Sequence, residues 1–179
     1  MESRTLSCRI GTGLSTEPSA WNAAAEAARA ARGGMTGAGE VDLAFVFLSS
    51  QHLAEAGAAA AAVHEELSPR HLLGCVAEGV VAGAREVEEG PGVAVWAAAL
   101  PGAEIVCFHA AAEQMEEGMV VTGLPQLESA DLALLLVDPF TFPTVPLLGG
   151  LNDAHDQVPL VGGLAAGGRE PGAQALIVD

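Results

Sequence analysis

The sequence contains no lysine and no tyrosine, and all seven of its cations are arginine against 23 acidic residues, which leaves a formal net charge of −16. Nucleic acid and anionic membrane surfaces are excluded as partners, since binding either requires clustered positive charge to replace counterions. The lack of lysine also removes any phosphate-cradling GK[ST] loop. Aromatic residues make up only 4% of a chain that is half hydrophobic, so its core is built by close approach of small side chains. Cys8, Cys75 and Cys107 are odd in number and widely spaced, with no CxxC pair, and read as free thiols in a reducing compartment. His52, His64, His71, His109 and His155 form neither HxxxH nor HExxH, which argues against zinc. The polar group Asn152, Asp153, His155 and Asp156 lacks the glycine and terminal Glu of a calcium loop and reads as the end of a helix. No metal or other cofactor is expected. The N-terminus has no basic n-region followed by an apolar run, and no stretch reaches the ~18 apolar residues of a membrane span, so cytoplasmic residence is expected.

What is present is a repeat. HLLGCVAEGVVAG at His71–Gly83 returns in weaker form as PLVGGLAAGGR at Pro159–Arg169, and aligning Gly74 with Gly162 also aligns DLAFVFLS from Asp42 with DLALLLVD from Asp131. Each copy reads as strand, helical connection, glycine-punctuated strand and returning strand. The expected fold is α/β, with mixed β-sheets and flanking helices, built from two similar βαββ-like halves. A length of 179 residues suits one domain with halves of about 1–110 and 111–179.

The alternation of Thr5–Gly11 predicts a first strand, and Ser19 opens a helix in which Trp21, Ala24, Ala25 and Ala28 share a face. Asp42–Ser49 reads as a strand covered on both faces, with Ser49 or Ser50 capping a helix that Pro69 stops. His71–Val76 follows as a parallel strand. Pro101-Gly102 signals a hairpin between Gly92–Leu100 and Ala103–Ala110, whereas 111–129 shows no period and reads as an irregular connection. In the second half, Asp131–Asp138 and Val158–Gly163 are strands around a helix from Thr141 or Pro143 to about Ala154, with Leu147, Leu148 and Leu151 facing inward. A last strand ends at Asp179, and the chain reads as a fragment or as one domain of a longer protein.

The glycines at the two turns, Gly74, Gly79, Gly162, Gly163, Gly167 and Gly168, would let a ligand approach backbone N–H groups where no Cβ intervenes. Bends and close strand packing account for them equally well. Cys75 follows Gly74, but a nucleophile needs a base within reach, and no spacing places His71 or His109 beside it, so a buried inert thiol is favoured and no enzyme is expected.

The ordered set DLAFVFLSS, HLLGCVAEGV, DLALLLVDP and PLVGGLAAGG resembles the N-terminal domain of FIST proteins over roughly Gly11 to Asp179. The family pattern often reads GCSxxGE at the first glycine strand; here Val76 stands in place of the hydroxyl and Glu78 precedes Gly79. The resemblance implies a sensory module for small ligands such as amino acids, with a FIST C-terminal domain or another signalling protein as partner. An amino acid would need charged contacts, and Arg169 for the carboxylate with Glu78 or Asp138 for the amine have the required signs, although each also suits a plain surface or turn role. The alternatives are an acidic protein-interaction scaffold and, third, an enzyme using Cys75.

Overall fold

The computed structural model describes residues 7–116, 118–127, 130–154 and 158–179. Its first strand, β1 (Arg9–Ser15), lies further along the chain than the expected Thr5–Gly11, of which Thr5 and Leu6 fall outside the described residues. Glycine alternation sets the buried face of β1. Helix α1 (Ala20–Gly34) lies so close over it that a Cβ at Gly11 would come within 1.9 Å of the Ala31 carbonyl oxygen, and one at Gly13 within 2.0 Å of that of Ala27. Ile10, whose alternation with Ser7 and Arg9 predicts an inward side chain, is 50% exposed.

The Ser19 hydroxyl caps α1 as expected, accepting a hydrogen bond from the Asn22 N–H at 3.4 Å. The buried stripe of α1 is wholly alanine, from Ala20 through Ala23, Ala24, Ala27 and Ala28 to Ala31. Trp21 does not share it and is 39% exposed, because an indole has no room where backbone meets backbone.

The first parallel unit consists of β2 (Leu43–Ser49), a 3-10 turn at Ser50–Glu55, α2 (Ala56–Leu67) and β3 (His71–Ala77). Ser68 adopts a left-handed conformation and donates its N–H to the His64 carbonyl, ending α2 before Pro69. Ser49 occupies the N-cap position of the 3-10 turn, but its side chain does not cap it; the hydroxyl oxygen accepts the Gly92 N–H at 2.9 Å. A small hairpin of β4 (Val80–Ala82) and β5 (Arg85–Val87) turns at Gly83, whose φ is 61°. Next, β6 (Val93–Ala99) inserts between β1 and β2, antiparallel to both. The turn at Pro101-Gly102 forms, with Gly102 at φ 88°, but residues 103–110 make no strand, since β6 already has a partner on each side. Instead β7 (Ala111–Met115) and β8 (Gly118–Thr122) pair as a hairpin where an irregular connection was expected.

The second parallel unit is β9 (Ala133–Val137), α3 (Thr144–Ala154) and β10 (Leu160–Leu164). Of the expected inward leucines, Leu147 and Leu151 are half-buried, whereas Leu148 is 37% exposed. The last strand, β11 (Leu176–Val178), returns to pair antiparallel with β3 and completes a mixed five-stranded sheet of order β1-β6-β2-β3-β11. The fold is thus α/β with mixed sheets. In both parallel units the aligned glycine sits opposite the residue four positions after the leading aspartate: Gly74 opposite Val46, and Gly162 opposite Leu135. In both, a Cβ on that glycine would strike the partner's carbonyl oxygen, at 2.0 Å and 1.9 Å.

Helices α1 and α2 cover one face of the large sheet, where Ala44, Val46, Leu48, Leu72, Val76, Val93 and Val95 form the core. The opposite face carries Phe45, Phe47, Cys75 and Trp96, turned toward the β9–β10 pair. Backbone hydrogen bonds tie the units together where the chain leaves β10: the Ala166 N–H reaches the Val76 carbonyl, and the Val76 N–H reaches that of Ala175, both at 3.1 Å.

Candidate ligand cavity between the two units

Strand pleating builds the floor of this site. Residues 44, 46 and 48 of β2 point to the helices, so Phe45 and Phe47 point away from them. The two phenyl rings lie nearly parallel at 6.1 Å, and Trp96 of β6 packs against Phe45 at 5.6 Å and a 55° tilt. Cys75 of β3, paired with Phe47 across the ladder, and Thr12 of β1 complete that floor. Opposite them, Leu134 and Leu136 of β9 and the Gly162-Gly163 peptide of β10 make the roof. The space between them, partly open to solvent along β10, is about 580 Å³, within the range usual for small-molecule sites.

Two glycines of the roof act differently. Gly162, at φ 155°, lets β10 press against β9, and Gly163 pairs with Leu136, so a side chain there would share the cavity-facing side of Leu136. A Cβ built on Gly163 meets nothing within 4 Å. A side chain at this position would project into the open space.

The cavity's polar side chains are neutral. Burial pushes the Cys75 thiol up to about 11, so it stays protonated and can donate a weak hydrogen bond. No histidine lines the space among the described residues, and no group of three or more His, Cys, Asp or Glu among them is arranged to hold a metal ion. His155 and Asp156 of the polar group near α3 lie outside the described residues. A second hollow of about 560 Å³ between α2 and β11 has His64 and Asp179 3.1 Å apart, both more than half exposed and well screened by water.

A scan of family models matches the FIST N domain to residues 42–179. The chain belongs to the FIST N-domain family. Three relatives from the curated proteins cover 96% of it: two uncharacterized proteins of Mycobacterium tuberculosis, at 42% identity (strain H37Rv) and 39% (strain CDC 1551), and one of Mycobacterium bovis at 39%. This FIST N domain spans 44% of the length of each. No solved structure matches it.

Of the residues singled out in the sequence, Cys75, Gly162 and Gly163 meet in the cavity of this FIST N domain. The others lie outside its lining. Gly74 is buried in close strand contact with Val46, and Gly79 follows β3 with a Cβ direction that points at the Val87 carbonyl. Gly167 crosses over β3 so closely that a Cβ would lie 2.0 Å from Val76 Cγ1. Gly168 is clamped by Gln174, whose Nε2 donates to its carbonyl at 2.8 Å while its own N–H reaches Gln174 Oε1 at 3.1 Å. Glu78 and Arg169 are exposed. Asp138 holds a turn, accepting from the Phe140 N–H and the Thr141 hydroxyl. The aromatic floor was missed, although Phe45 and Phe47 at alternate positions of an aromatic-poor chain were its signal.

Proposed function

We propose that this FIST N domain is a sensory module that binds a small molecule in the cavity between the five-stranded sheet and the β9–β10 pair. One observation carries the reading: Cys75 and Gly163, from two strands far apart in the chain, line one space into which any side chain at Gly163 would project. A ligand there would touch both units at once, and any preference for one arrangement over another would shift the population toward it and pass a signal to a partner. The partner would be a FIST C-terminal domain or another signalling protein. The amino-acid class implied by the family resemblance finds no charged contact among the described lining residues, because Glu78, Asp138 and Arg169 lie elsewhere. Catalysis by Cys75 is disfavoured by its protonated thiol and by the absence of a histidine among the described lining residues.

The test is thermal unfolding of the chain across a panel of metabolites that includes the amino acids. A midpoint that climbs with the concentration of one compound, and no longer does so in Gly163→Val, supports the proposal. If no compound moves the midpoint, or the shift survives Gly163→Val, the cavity is not a sensor site.

A further inference from the structure

The lining that defines the cavity also restricts the charge of what can enter it. The floor gathers Phe45, Phe47 and Trp96, three aromatic side chains from a chain that has only two Trp and five Phe. Across from them stand Leu134 and Leu136. A flat ring inserted here would exchange water for aromatic and aliphatic contacts on both sides. Among the described lining residues the polar side chains are the Thr12 hydroxyl and the Cys75 thiol, which suit a single hydrogen-bonding group on the ligand.

No described lining residue is charged. A carboxylate or ammonium group brought against this floor would lose part of its water without gaining an ionic partner from the described lining, and that loss weighs against binding. The net charge of −16 further disfavours anions at the approach to the site. We infer that the cavity takes an uncharged, largely apolar planar molecule carrying at most one hydrogen-bonding group, rather than a free amino acid. This inference rests on the sensory reading above and narrows its ligand class.

Four probes share one ring and differ in charge: indole, L-tryptophan, indole-3-acetate and tryptamine. The protein supplies its own reporters, since of its two indole N–H signals Trp96 belongs to the cavity floor and Trp21 to helix α1. In nitrogen-15 spectra of the full chain, indole should move the Trp96 signal saturably and leave that of Trp21 in place. The three charged probes should bind at least about tenfold more weakly. Gly163→Phe should remove the indole response. If a charged probe moves Trp96 as readily as indole, the ligand class is overturned while the cavity remains a binding site. If no probe moves Trp96, or if Trp21 moves with it, the inference fails, and the sensory reading is then decided separately by the metabolite panel. The wild-type spectrum locates the binding by itself, so the inference stays open to refutation even if Gly163→Phe does not fold.

Discussion

His52 sits in the 3-10 turn after β2, only 1% exposed, and its Nε2 has no hydrogen-bond partner among the described residues. Burial pulls its pKa below the ordinary 6.5, with the nearby charge of Glu55 opposing that shift. The folded state therefore binds fewer protons than the unfolded chain as acid is added. The stability contributed by neutral His52 is complete above pH 6.5 and declines as pH falls from there toward the depressed folded value. Urea midpoints at pH 7.5, 6.5 and 5.5 (about one pH unit either side of the free value) should fall more steeply in the wild type than in His52→Leu. Equal slopes would show that His52 does not titrate between the two states. Nothing in the sequence marked this residue, since a lone histidine beside a helix start has no pattern. Cys75 and Gly163 were legible because they fall at matching places when Gly74 is aligned with Gly162, and such an alignment shows at the level of single letters. The charged residues assigned beside them were not, because adjacency in sequence does not say which face of a bent strand or loop a side chain occupies.

Among the elements, the two strand–helix–strand units could be read from apolar runs, helical spacing and the stop at Pro69. The placement of β1 could not, because the residues facing α1 are Gly11 and Gly13, which carry no hydrophobic signal at all. Close contact between a helix and a strand is invisible to an alternation count. It has a measurable consequence: Gly13→Val would drive a branched side chain into the Ala27 carbonyl and the Ala30 methyl, and should lower stability by about 3 kcal/mol. Denaturant unfolding monitored by circular dichroism would show it, and an unchanged midpoint would mean that α1 does not lie against β1. The hairpin of β7 and β8 escaped for a different reason. Their residues, AAEQM and GMVVT, mix small, polar and acidic types without a period of two, and the pairing is held by backbone. The aromatic floor of the cavity was hidden within a run that reads as apolar on both faces, where sequence cannot tell a fully packed side from one that borders a hollow.

For the whole molecule, the excess of acid dominates. Ion pairs such as Arg29–Glu66 and Arg70–Glu40 are largely exposed and contribute little, so the unbalanced charges mainly repel one another. Raising sodium chloride from about 10 mM to about 0.15 M shortens the screening length from roughly 30 Å to roughly 8 Å and should raise the thermal midpoint. A midpoint that falls instead would mean that attractive pairs outweigh the repulsion. Mixed α/β architecture was legible at this scale, as was a space between two units; the antiparallel insertion of β6 between β1 and β2 was not, because strand order depends on contacts between distant segments. That same order has a temporal side. The outer edge of β3 is filled by residues 175–179, far along the chain from β3 itself, so while the chain emerges from the ribosome this edge stands unpaired until those residues are made. The sheet is begun early and closed late, with its inner apolar strand open to any other extended segment in the interval.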